Sequence, residues 1–120
     1  MVDLITLVTI CKEALAGRNK VVNIFRKRRL TEEEKELLVA TYKGKGKFYF
    51  CSIDAIPGGW IRAGSKEFLD NKDYAYNAKY LEAFRFLCER GYVEHKSGKL
   101  FMLTSSGYKR AMKLAKTGVQ

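Results

Sequence analysis

"SIDAIPGGWIRAG" occupies Ser52–Gly64 and holds the chain's single proline, Pro57, its single tryptophan, Trp60, and three glycines, Gly58, Gly59 and Gly64. Proline and glycine interrupt regular structure, whereas an indole ring normally seeks burial with a partner for its N–H. How this break is bridged decides the fold, because a strand pattern precedes it and helix patterns follow. The stretch reads as a loop, either pinned to the core through Trp60 or reaching out to a partner. Pro57 fixes its own φ and biases Ile56 toward an extended conformation, and the paired glycines allow a sharp reversal. Trp60 is therefore expected to be mostly buried against aromatic residues of the preceding strand or of the long helix. Arg62 is expected at the surface.

Upstream, "KFYFCSI" (47–53) is aromatic and β-branched and predicts a strand. "GKGK" (44–47) predicts a turn and lacks the strand-to-helix context of a phosphate loop. "TEEEKELLVATYK" (31–43) is the clearest helix: Thr31 and Glu34 match a capping box, Glu32 and Glu33 suit the first turn, and Lys43 suits the last. Downstream, "SKEFLD" (65–70) predicts one or two helical turns. "YAYNAKYLEAFRFLCER" (74–90) predicts a long helix closed by Gly91, with Phe86 projecting from its polar side. "YVEHKSGKLFMLT" predicts a hairpin with strands 92–96 and 99–103 around Ser97-Gly98, and "TSSGYKRAMKLAK" a last helix. Before Thr31, residues 4–16 form an amphipathic pattern with Leu4, Leu7, Val8, Cys11 and Leu15 on one stripe, and 21–30 a second short helical piece.

The chain has 120 residues, 47% of them hydrophobic, enough for one domain with a real core. Lysine and arginine number 23 against 13 acids, a net charge of +10. Such a balance favours polyanionic partners. No apolar run reaches bilayer-spanning length, and the start lacks the charge pattern of a secretory leader. The three cysteines form no CxxC pair, so neither a disulfide framework nor a zinc site is indicated, and a reducing, cytoplasmic setting is expected. Catalysis finds little support. His95 is the single histidine, between Glu94 and Lys96, and reads as a solvated sheet residue. Cys11, Cys51 and Cys88 read as small hydrophobes within their elements. No catalytic residue, metal ligand or cofactor site is predicted, and the protein is expected not to be an enzyme.

From Thr31 onward the element order, and above all "YLEAFRFLCERGYVEHKSGKLFMLTSSGYKRA" with Leu103, Thr104 and Gly107 matching LT-x-x-G, resembles the winged helix-turn-helix superfamily, and within it regulators similar to the MarR and PadR groups. The resemblance covers about residues 31 to 116. The long link through "DAIPGGWIRAG" departs from it. It implies an α+β winged helix with a three-stranded antiparallel sheet, built from 47–53 and the two hairpin arms. It divides the chain into an N-terminal helical extension, 1–30, and a winged-helix domain, 31–120. It also implies a non-enzymatic role in binding double-stranded DNA, of the kind a transcriptional regulator plays. The long helix would enter the major groove, offering Lys72, Asn77, Lys79 and Arg85 there with Tyr76 reaching phosphate, and the wing would make backbone or minor-groove contact with Lys96 and Lys99. Glu82 and Glu89 on that helix weigh against groove reading. A protein–protein interaction module on the same fold is the alternative. The first helix is expected to cap the domain near Phe86 or to pair with a second chain as a homodimer. "RKRR" (26–29) either meets phosphates or balances Glu32–Glu34, the latter being preferred.

Overall fold

The computed structural model describes residues 3–16 and 29–117. Helix α1 (Leu4–Leu15) is followed by α2 (Glu32–Lys43), strands β1 (Lys47–Ile53), β2 (Ile56–Ala63) and β3 (Lys66–Phe68), helix α3 (Tyr74–Glu89), strands β4 (Val93–Ser97) and β5 (Leu100–Leu103), and helix α4 (Ser105–Lys116). The strands form one antiparallel sheet in the order β3-β2-β1-β5-β4. The architecture is α+β. The expected helical piece at 21–30 and the cations Arg26–Arg28 lie outside the described residues apart from the segment's last two positions.

The expected pairing of β1 with the wing hairpin is present through β5. The sheet is nevertheless larger than the three strands expected, and two readings are corrected. Ile56–Ala63 is a strand, not a loop. Between the pairs Cys51↔Trp60 and Ile53↔Ile56, β2 runs four steps while β1 runs two, so Pro57, Gly58 and Gly59 form a bulge inside a hairpin. A bulge is where a strand tolerates a proline without an N–H and glycines with positive φ; Gly58 and Gly59 sit at φ 83° and 72°. Second, "SKEFLD" does not form a helix. Lys66, Glu67 and Phe68 pair with Ala63, Arg62 and Ile61, and the gain from completing the ladder and burying Phe68 overrides the local capping signal at Ser65.

Alternation along the strands gives the sheet two chemically distinct faces. Phe48, Phe50, Ile61, Ala63, Phe68, Val93, Phe101 and Leu103 point into the core, where they meet Leu37 and Leu38 of α2 and Tyr80, Phe84 and Leu87 of α3. Phe84 packs against both Phe48 and Phe101, with ring centroids 4.9 and 5.2 Å apart. Leu7, Cys11 and Ala14 of α1 are buried, and α1 packs on α3 and β4. Of the two roles considered for this helix, capping in cis is the one the structure displays. Phe86 is half-buried, with the Arg85 guanidinium 4.9 Å from its ring centroid.

The helix ends follow the sequence closely. Thr31 and Glu34 form the capping box, each side chain bonding the other's backbone N–H. Gly91 adopts φ 77° just after α3. The LTSSG segment has a concrete structural basis. The Thr104 hydroxyl accepts from Gly107 N and donates to Gly91 O. A Cβ on Gly107 would fall inside the van der Waals envelope of the Tyr92 carbonyl, so only glycine lets α4 approach the start of β4 this closely. Gly107→Ala is expected to cost roughly 1–3 kcal/mol, as overpacking does. Urea unfolding monitored by far-UV CD would read this as a lower midpoint at unchanged slope, and an unshifted midpoint would show that the approach carries no strain.

Candidate nucleic-acid interface

The residues expected on the long helix fall into three situations. Asn77 is 1% exposed. Its amide oxygen accepts from Asp70 N at 2.6 Å and its amide nitrogen donates to Asp70 O at 3.1 Å. It fastens α3 to the β3–α3 connection, and its expected base contact is replaced by this structural one. Arg85 donates to both Glu82 and Glu89 along its own helix, an arrangement that holds its pKa above the usual arginine value. Burial pushes the Glu89 carboxyl up, partly opposed by Arg85. Lys79 is exposed, with its ammonium 5.4 and 5.3 Å from the Tyr76 and Tyr80 ring centroids. Tyr76 is half-buried against Tyr80, and Lys72 is exposed in the turn before Asp73 caps the helix. The Tyr80 hydroxyl donates to Glu36 at 2.9 Å, and burial with that bond raises its pKa strongly.

The wing lysines lie elsewhere. Lys96 pairs with Glu94 at 2.7 Å. Lys99 donates to Ser52 Oγ at 3.4 Å, bringing the wing tip to the end of β1. Tyr74 at the start of α3 donates to Ala55 O of the β1–β2 turn at 3.5 Å. The start of α3, the β1–β2 turn and the wing tip thus share one end of the molecule. Acids share it too, namely Asp54, Asp70 and Asp73, and the segment before α3 is the strand β3 where a helix-turn-helix requires a helix. His95 does not project freely: its Nε2–H donates to Gly98 O at 2.9 Å and its ring lies against Phe101.

A different surface carries aromatic and basic groups together. On the side of the sheet facing away from the core, the cross-strand row runs Leu100–Tyr49–Arg62–Glu67, and beside it Cys51 lies opposite Trp60. The Arg62 guanidinium lies 5.5 Å from the Tyr49 ring centroid and is held there by Nε donating to Gly64 O at 3.1 Å. Trp60 is 7% exposed, and its indole N–H donates to Glu67 at 3.2 Å. Its burial matches the expectation from sequence; of the two packing sites expected, the long helix is excluded, because the ring lies on the face turned away from it, opposite Cys51 of β1. Burial, helped by Glu67, raises the Cys51 thiol pKa, so this cysteine is no activated nucleophile. Tyr49, Cys51, Ser52, Trp60, Arg62 and Lys99 line an open depression of about 360 Å³ on this face. Lys47 stands exposed on this face at its other end, whereas Lys66, opposite Ala63, lies on the helix side of the sheet with its ammonium 5.0 Å from the Phe68 ring centroid. There Gly44 and Gly64 meet so closely that a Cβ on Gly64 would lie 2.8 Å from Gly44 Cα. That approach brings the exposed Lys43 and Lys45 of the α2–β1 turn beside the β2–β3 turn.

Reading Arg62 as a loop residue hides this face. Its signal in the sequence is alternation: Tyr49 and Cys51 against Phe48 and Phe50, Trp60 and Arg62 against Ile61 and Ala63. Among the described residues, no group of histidine, cysteine, aspartate and glutamate is placed to hold a metal ion, and no helix is long and apolar enough to cross a membrane. No protein-family model, curated protein or solved structure matches the chain.

Trp60 is a built-in reporter of this face. Its emission is expected at the short wavelengths of a water-excluded indole. Trp60→Ala is expected to lower stability by about 3–5 kcal/mol. Water-exposed emission together with an unchanged melting temperature would show that the ring is no anchor.

Proposed function

We propose that this protein is a nucleic-acid-binding module with a non-catalytic role, DNA being the nucleic acid expected. The observation that carries the reading is the Arg62–Tyr49 pair on the sheet's outer face, framed by Lys47 and Lys99. Backbone phosphates supply most of the affinity in such complexes through counterion release, and flat side chains between the cations supply contact with bases. The net charge of +10 supports the same reading. We further infer that the chain from Thr31 onward is a winged-helix variant in which the β2–β3 hairpin takes the place of the second helix. The β1-β5-β4 pairing and the Thr104–Gly107 start of α4 support that assignment. Its binding surface then shifts from the long helix toward the sheet and wing, since Arg85 and Asn77 are engaged within the fold.

A protein-interaction module is the second reading. It is favoured by an apolar cleft of about 350 Å³ between the Pro57–Gly59 bulge and the α3 residues Tyr74, Ala78 and Leu81. Beside it Tyr74 and Ile53 remain 44% and 55% exposed.

Titration of labelled DNA by fluorescence anisotropy separates the two. Binding is expected at low salt, with affinity falling steeply as salt rises. Replacing Lys47 and Lys99 with alanine should weaken all sequences by a similar factor. The same replacement should flatten the salt slope by about 0.7–0.9 for each phosphate no longer neutralised. Absence of binding at low salt would sink the nucleic-acid reading in favour of the interaction module.

A further inference from the structure

Resting on the nucleic-acid reading, we propose that the ligand of the outer sheet face is an unpaired strand, with a base laid on the Arg62–Tyr49 surface and its phosphates directed to Lys47 and Lys99. The first ground is shape. A duplex presents base edges in its grooves and hides the base faces inside the stack. Reading it takes an element that projects into a groove. No helix stands on this side of the sheet among the described residues, since α1, α2, α3 and α4 all pack buried residues into the core on the other side. What the face offers is planar. Tyr49 lies in the middle of the sheet, between Leu100 and Arg62 in one cross-strand row. Only a base released from pairing exposes a π-face to such a surface.

The chemistry is built for that contact. Bases stack on aromatic rings and on guanidinium planes. Here the guanidinium is fixed rather than mobile, held by Gly64 O on one side and by the Tyr49 ring on the other, so little freedom is sacrificed when a base arrives. The depression beside it is open, with Trp60 forming its floor rather than a stacking ring, because its indole is buried and its N–H is held by Glu67. The acids Glu67 and Glu94 belong to this face. Glu67 accepts from Trp60, and Glu94 is neutralised by Lys96. No ion pair among the described residues engages Lys47 or Lys99. The cations therefore sit at both ends of the depression, along a strand that spans about 23 Å at the usual rise per residue, and a nucleic-acid strand laid along β1 would meet them in turn.

The test compares binding of oligothymidylate, oligouridylate and a mixed-sequence duplex, each of about ten nucleotides or base pairs, by the intact protein and by Tyr49→Ala, Tyr49→Phe and Arg62→Gln. Thermal melts accompany each variant. Single strands are expected to bind more tightly than duplex. Tyr49→Ala should lower single-strand affinity at least about fivefold, the low end of one base–aromatic stack, and Tyr49→Phe should retain it. Arg62 is exposed, so Arg62→Gln should lower binding without moving the melt, which keeps the test decisive if Tyr49→Ala destabilises the sheet. Either order of the DNA and RNA strands supports the proposal, a preference for RNA assigning a contact to the 2′-hydroxyl. Equal or tighter duplex binding, or single-strand binding unchanged in both Tyr49→Ala and Arg62→Gln, overturns the proposal and leaves the nucleic-acid reading standing. Failure to bind any of the three overturns both.

Discussion

The arrangement of layers depends on one buried ion pair. Arg90, just past the end of α3, donates from Nε to Glu34 Oε2 at 2.7 Å, and both side chains are almost fully withdrawn from solvent. Another guanidinium nitrogen donates to Arg29 O. Glu34 simultaneously closes the capping box of α2 through its other carboxylate oxygen. One carboxylate thus starts α2, and one guanidinium ties that start, and the chain leading into it, to the end of α3. The net stabilisation from such a pair is small because both charges must be desolvated. Removing either partner alone costs about 3–5 kcal/mol, because the survivor is left charged in the interior. The pair works as a positional constraint more than as a source of stability: it fixes the α2–α3 crossing against which the sheet is laid.

Given that crossing, two glycine-dependent features determine what the sheet presents. At one end, Gly44 and Gly64 bring the α2–β1 turn against the β2–β3 turn at backbone contact distance. At the other, the Pro57–Gly59 bulge inserts extra length into β2, which increases local twist and leaves an apolar cleft where side chains would otherwise fill the sheet–helix gap. Helices α1, α2 and α3 lie on the core side, so the outward row from Leu100 to Glu67 is left uncovered by these helices.

Locally encoded features are legible in the sequence. The capping box at Thr31, the glycine ending α3, the wing hairpin and the Thr104 start of α4 each depend on residues a few positions apart. The features that are not legible depend on partners distant in sequence or on backbone groups. The Pro-Gly-Gly signal marks a break in both a loop and a bulge, and only pairing with β1 tells them apart. "SKEFLD" carries a respectable helix start that loses to ladder formation with β2, a tertiary override of propensity. Asn77 looks like a base reader because its partner, the backbone of Asp70, is invisible in side-chain patterns. The Tyr49–Arg62 contact requires the β1–β2 register, which no composition or periodicity supplies.

The redistribution of charge follows from the same geometry. On α3 the acids that weigh against groove reading are internally engaged, Glu82 and Glu89 by Arg85, so the long helix is close to self-neutralised rather than repulsive. That neutralisation also removes Arg85 as a contact to phosphate. Among the described residues, lysines outside any ion pair stand at the α2–β1 turn and, as Lys47 and Lys99, on the outward side of the sheet. A helix whose charges cancel suits a role as the structural backing of a binding surface, while a sheet edged by lysines and centred on a fixed guanidinium suits the surface itself.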